Sequence, residues 1–149
     1  MLRINRQTDY AVRVVLSLAK QADGARLSTA AIQREMLIPA GLMPRIVAEL
    51  AKTGLIRTYA GRDGGLMLAR PAREISLRDV VEAFEGPVLL SRCLRVTGDG
   101  DCPFQMTCPV RSKWGRVQAA MLREMAAISF ADLAQEAAGL PILMPSIVS

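Results

Sequence analysis

A chain of 149 residues, 51% apolar and 22% charged, can bury one real core and offset the entropy of ordering it, which excludes a disordered polypeptide. The formal net charge of +5 is unevenly placed: residues 1–73 carry twelve Lys/Arg against five Asp/Glu, and residues 74–149 carry seven against nine. A basic N-terminal half joined to a near-neutral C-terminal half suits a polyanion-binding module with a regulatory or assembly segment; an ordinary solvated basic surface has the same composition. Arg3 and Arg6 precede an apolar run, as in a secretion signal, but Arg13 interrupts AVRVVLSLA and nothing approaches membrane-spanning length. A cytoplasmic protein without a membrane partner is expected.

From Thr8 to Lys20, residues Ala11, Val14, Val15, Leu18 and Ala19 fall on one face at helical spacing, and Asp23-Gly24 ends the pattern. Ser28 is placed to cap a short helix reaching about Met36, with Ala31, Ile32 and Met36 inward. The run Ile38-Pro39-Ala40-Gly41 breaks it. A third helix from about Leu42 to Lys52 would bury Leu42, Ile46, Val47 and Leu50, with Gly54 as its stop. Two short helices around a tight turn, after a longer first helix, are the parts of a helix-turn-helix.

The runs LIRTY and LMLAR flank AGRDGG, whose Gly61, Gly64 and Gly65 supply the backbone freedom a hairpin turn needs, so a β-hairpin wing is expected. Arg45 falls near the start of the third helix, Arg57 at the base of the wing and Arg62 at its tip, where a duplex would meet them. Pro44 is compatible with the third helix only in its first turn, where no intrahelical donor is lost. The candidate DNA-binding set is Ser28, Gly41, Leu42, Pro44, Arg45, Arg57, Arg62 and Gly64. With Gly41 and Pro44 in that turn, base reading there would be poor, leaving Arg45, phosphate contacts and the wing to carry recognition.

After Pro71, Ser76 and Asp79 have capping-box spacing, with Asp in place of the usual Glu, and Leu77, Val80, Val81 and Phe84 share a face of a fourth helix ending at Gly86-Pro87. Val110, Trp114, Val117, Met121, Leu122, Met125 and Ile128 then recur over about 18 residues, or about 27 Å of helix. Such a helix exceeds what a small wing domain can bury, so it is expected to form a seam with a second subunit; folding back on its own domain is the alternative. Ser129 and Asp132 would cap a last short helix before a loosely held tail.

Cys93, Cys102 and Cys108 are the only cysteines, spaced C-x8-C-x5-C, and the chain has no histidine. Structural zinc sites use close C-x2-C pairs or add histidine, and neither is present. Three soft thiolates on a glycine-bearing loop suit an iron-sulfur cluster. A thiol redox pair such as Cys102 with Cys108, or inert surface thiols, fits the same spacing.

Taken together, RQTDYAVR, the helix-turn-helix followed by AKTGLI, the wing GRDGG, the run RPAREISLRDVVEAFEG and the three-cysteine loop resemble the winged-helix iron-sulfur regulators that include IscR, NsrR and RirA, over about residues 1–135. The resemblance implies a homodimer with crossing long helices, each wing domain reading half of a roughly palindromic double-stranded DNA operator. It also implies that Cys93, Cys102 and Cys108 hold an iron-sulfur cluster, 4Fe-4S ahead of 2Fe-2S. IscR-like members add a histidine shortly after the third cysteine; Pro109, Val110 and Arg111 follow here, so an IscR-like site is not expected. In NsrR-like members an aspartate near the N-terminus reaches across from the partner subunit, and Asp9 matches that position; an acid complementing the first helix's dipole is the other reading of Asp9. Leu66 stands where the family commonly has tyrosine, a change expected to concern packing.

The expected fold is mostly α with a small β-hairpin wing: a winged helix-turn-helix plus a long dimerisation helix. Residues 1–73 form the DNA-binding domain, 74–90 a connecting helix, 91–109 the cysteine loop, 110–140 the dimerisation and short terminal helices, and 141–149 the tail. The expected function is transcriptional regulation, with repression as its sign and nitric oxide, iron or redox state as its signal. The rival is a cluster-free regulator responding to thiol oxidation or to a bound small molecule or protein. An enzyme is not expected: there is no histidine, no nucleotide-binding glycine fingerprint, and no polar constellation beyond the cysteines.

Overall fold

The computed structural model describes residues 3–95 and 102–139. In chain order these form α1 (Arg6–Ala19), α2 (Thr29–Met36), α3 (Met43–Lys52), β1 (Ile56–Tyr59), β2 (Gly65–Leu68), α4 (Leu77–Glu85), α5 (Pro109–Ala127) and α6 (Phe130–Gly139), with 3-10 turns at Ala72–Glu74 and Arg92–Leu94. The mostly α chain with one hairpin wing is what forms. The expected tail, 141–149, lies outside the described residues.

Helix α1 starts two residues before Thr8 because Asn5 caps it, its side chain accepting from the Thr8 amide at 2.9 Å. Ser28 caps α2 as expected, accepting from the Ala31 amide at 3.1 Å. The chain reverses at Leu37, whose backbone is left-handed (φ 53°), one residue before the break anticipated at Ile38. That conformation sends Ile38 into the core and leaves Leu37 73% exposed. Helix α3 then begins at Met43, and Met43 takes the buried place expected of Leu42, which is the half-buried N-cap.

The wing is an antiparallel pair with Ile56 opposite Leu68, Arg57 opposite Met67, Thr58 opposite Leu66 and Tyr59 opposite Gly65. Leu27 borders its other side through a single bridge to Leu66, bonded in both directions at 3.0 and 2.7 Å. Two of the wing glycines are required by space. A Cβ on Gly64 would lie 2.2 Å from the Tyr59 carbonyl oxygen, and one on Gly65 (φ +134°) 2.5 Å from that of Leu27. Gly64 itself keeps an ordinary φ, so its need is steric, whereas Gly61 (φ +92°) carries the left-handed turn.

One core joins these elements. Ala11, Val14 and Val15 of α1 pack with Ile32, Met43, Ile46, Leu50, Ile56, Leu66, Ile75, Val80 and Phe130. Leu66 is 3% exposed, which agrees with its reading as a packing residue. Both capping boxes form: Ser76 and Asp79 exchange bonds of 2.8 and 3.2 Å, and Ser129 and Asp132 bonds of 3.2 and 3.1 Å. The two helix starts also bond to each other, Leu77 N to the Ile128 oxygen and Phe130 N to the Ile75 oxygen, each at 2.9 Å. This ladder drops Phe130 into the core of the wing domain.

Helix α5 behaves differently, for it holds no buried residue. It rests on α4 and on the turn at Arg92–Leu94, with the Gln118 side chain accepting from the Leu90 amide at 3.0 Å. Val110, Trp114 and Val117 face solvent. Among the described residues no helix is long and apolar enough to cross a membrane.

Candidate DNA-binding face and cysteine loop

Ser28 at the start of α2, Gly41, Pro44 and Arg45 at the start of α3, and Arg57 and Arg62 on the wing are all exposed. Pro44 occupies the first turn of α3, the one place its missing amide costs nothing. A Cβ on Gly41 would meet open space, so the backbone there is bare by sequence and not by steric demand. Leu42 and Gly64 are half-buried; Leu42 packs against the core, and Gly64 shapes the wing turn from behind. The structure adds Arg26, whose guanidinium lies 3.6 Å from the centroid of the Tyr59 ring. No periodicity marked it, because it reaches the wing through the isolated Leu27–Leu66 bridge.

Asp9 lies in the first turn of α1, exposed, and pairs with Arg13 one turn on at 2.8 Å. The Arg13 guanidinium also lies 5.3 Å from the Tyr10 ring and donates to the Met36 carbonyl oxygen at 3.4 Å. Asp9 is thereby linked through one side chain to the end of α2. Just before it, Thr8 is fully buried, and its hydroxyl donates to Glu85 Oε1 at 2.6 Å, which also accepts from the Asn5 amide at 2.9 Å. These bonds, the Thr8 hydroxyl first, hold the Glu85 carboxyl below its ordinary value of 4.5. They fasten the start of α1 to the end of α4, immediately before the segment that leads to the cysteines.

At the other end of α1, Ser17 is fully buried and donates to Glu35, which also takes an ion pair from Lys20. Burial pushes the Glu35 carboxyl up, but the Lys20 and Ser17 bonds outweigh it and leave it below 4.5. Thr8 and Ser17 thus tie α1 to α4 and α2, links a hydrophobic pattern could not reveal.

All three cysteines are free. Cys93 sits in the turn at Arg92–Leu94, its Sγ 3.2 Å from the Ser91 hydroxyl. Cys102 is exposed and opens a turn in which its carbonyl accepts from the Gln105 amide at 3.1 Å. Cys108 is the N-cap residue of α5, followed by Pro109, and its amide donates to the Phe104 carbonyl at 2.8 Å. Residues 96–101 of the loop lie outside the described residues. Arg111, in the first turn of α5, donates to the carbonyl oxygens of Cys93 at 3.0 Å and Gln105 at 3.4 Å. One side chain therefore draws the two sides of the loop together. Among the described residues, no three Cys, Asp or Glu side chains already stand at metal-holding distance.

A helix-turn-helix with a glycine-shaped wing and a basic exposed face is a winged-helix DNA-binding architecture. The comparisons agree. The family model Rrf2, described as iron-dependent transcriptional regulator, matches residues 4–136, and the chain belongs to that family. It is 31% identical over 143 residues to the HTH-type transcriptional regulator NsrR of Geobacillus kaustophilus, covering 96% of this chain and 97% of the relative. Its fold matches CymR, the global cysteine regulator of B. subtilis, with TM-score 0.74 at 24% identity, covering 91% and 98% of the two chains. It also matches T. potens IscR with TM-score 0.72 at 22% identity, covering 94% and 93%.

Proposed function

We propose that this regulator acts as a homodimeric repressor on a roughly palindromic operator, with residues 93–108 as its sensor and an iron-sulfur cluster as the sensing group. The observation that carries the reading is the position of three free thiols on the segment joining α4 to α5, bracketed by Arg111. Donor chemistry fits the group: soft sulfur ligands, no competing disulfide, and a loop whose sides already approach one another. Cys93, Cys102 and Cys108 would hold it, and a bound cluster supplies a centre that reacts with nitric oxide or oxygen and reports iron supply. A carboxylate from Asp9 of a second copy would be the fourth ligand.

The chain's own residues then provide the coupling. An Asp9 carboxylate drawn to a cluster would weaken or share its 2.8 Å pair with Arg13, and Arg13 is also bonded to the carbonyl that ends α2. Recruiting or releasing Asp9 therefore changes the support of the helix-turn-helix. The unburied face of α5, with Val110, Trp114 and Val117 outward, supplies the dimer seam.

Native mass spectrometry of protein purified without oxygen tests the reading, because it counts subunits, iron and sulfide together. A dimer with one four-iron, four-sulfide cluster per subunit is the expected result. A dimer that takes up no iron, even after reconstitution with iron and sulfide, would sink it.

Two observations favour a second reading, a cluster-free regulator. Cys102 is exposed, as a thiol oxidised in a signalling step must be. A cleft of about 580 Å³, with Ile4, Val81 and Met125 in its wall beside the charged Arg3, Glu85 and Arg95, would also take a small molecule with an apolar body and a polar group. In that case DNA binding by iron-free protein responds to a thiol oxidant and recovers with reductant, or shifts with an added ligand.

A further inference from the structure

Every cation in the DNA-binding set lies on α3 or the wing, yet the guanidinium held on the wing by both an aromatic ring and a carbonyl belongs to Arg26. The bridge between Leu27 and Leu66 sets Arg26 alongside β2, the second wing strand, just ahead of Ser28, and its side chain reaches Tyr59 of β1. Its guanidinium stacks 3.6 Å from the Tyr59 ring centroid, and its Nη1 donates to the Asp63 carbonyl oxygen in the wing turn at 3.3 Å. Arg26 is exposed, Tyr59 is half-buried, and among the described residues no carboxylate stands within ion-pair distance of Arg26.

A guanidinium held on an aromatic face has already lost most of its rotamer freedom, and its planar fork keeps outward N–H groups that match a phosphate. The ring also holds it close to the protein surface, so it cannot extend to the floor of a groove. A partner that presents oxygens at the surface is the one it can meet.

We infer that Arg26 is a DNA phosphate-binding residue, preorganised by Tyr59 and tied to the wing by the Asp63 carbonyl. This rests on the DNA-binding reading and adds to it a contact at the junction of the wing and α2. Because the contact is electrostatic and made to the backbone, it is indifferent to sequence and visible in the salt dependence of binding.

The test is fluorescence anisotropy of the full chain and its variants on a mixed-sequence duplex of about two helical turns, titrated with potassium chloride. Arg26→Ala is expected to weaken binding about tenfold at low salt and to make the slope of log K against log salt shallower by about 0.9 per bound protomer. Arg26→Lys keeps the slope and recovers only part of the affinity. Tyr59→Leu weakens binding with the slope kept, since the charge remains but its placement is lost. An Arg26→Ala variant with wild-type slope would overturn the inference whether its affinity is unchanged or reduced, because a mispositioned wing alone gives the latter. If that variant binds normally while Arg45→Ala and Arg57→Ala bind weakly, the DNA-binding reading stands without Arg26; a wild-type chain that binds no duplex removes both.

Discussion

Glu85 shows how much a single exposed carboxylate can organise. It accepts from the hydroxyl of a fully buried threonine and from the backbone that caps α1, and those bonds hold its carboxyl below 4.5. A carboxyl depressed in the folded state contributes stability that is present above its unfolded value and lost as pH falls through the folded one. Glu85→Gln, which keeps an acceptor for Thr8 but cannot titrate, should therefore cost stability near neutral pH. The gap from wild type should close as pH drops below about 4.5, read by urea denaturation across the acid range. Glu35 is depressed in the same direction, so wild type retains an acid limb that this one variant only flattens. The wing glycines make a second residue-scale case. Gly64→Ala forces a Cβ to within 2.2 Å of a carbonyl oxygen and should cost about 1–3 kcal/mol and disturb the wing, whereas Gly41→Ala enters open space and should leave the melting temperature unchanged.

At the scale of elements, the two capping boxes matter because they sit side by side. Each stops one helix from fraying, and the bonds between Leu77, Ile128, Phe130 and Ile75 turn two helix starts into one joint. Phe130 is the consequence: a fully buried ring from the last helix inside the core built by α1 to α4. Phe130→Ala should destabilise the whole chain by about 3–5 kcal/mol in a single cooperative transition. Two separate transitions by calorimetry, with the wing domain unaffected, would show that α6 is an independent appendage.

For the whole molecule the decisive contrast is between α1, half sunk in the core, and α5, none of whose residues is fully buried in one chain. A helix about 28 Å long gains little from the faces it shares with α4, and its remaining apolar surface is what the proposed dimer would cover. Val117 is 52% exposed and Trp114 44%. If the proposed dimer forms on this face, Val117→Glu should shift light scattering from dimer to monomer while far-UV circular dichroism stays unchanged. Retention of the dimer would place the seam elsewhere.

Helical and strand periodicity, caps and wing glycines were legible in the residues because each is a local property: Ala11, Val14 and Val15 mark a face, Ser76 and Asp79 mark a start, and Gly61 marks a turn. The cysteines and the exposed basic positions were legible as chemistry, by type and spacing. What the residues alone could not specify were pairings between distant parts of the chain. Thr8 with Glu85, Ser17 with Glu35, Arg111 across the cysteine loop, Arg26 on Tyr59 and Phe130 in the core all join positions whose sequence separation carries no period. Such contacts arise only when packing brings two elements to one place, and hydrogen-bond and stacking geometry then select which side chains meet. Sequence by itself therefore determined the elements and the kinds of chemistry available; the tertiary structure decided which of those groups support one another.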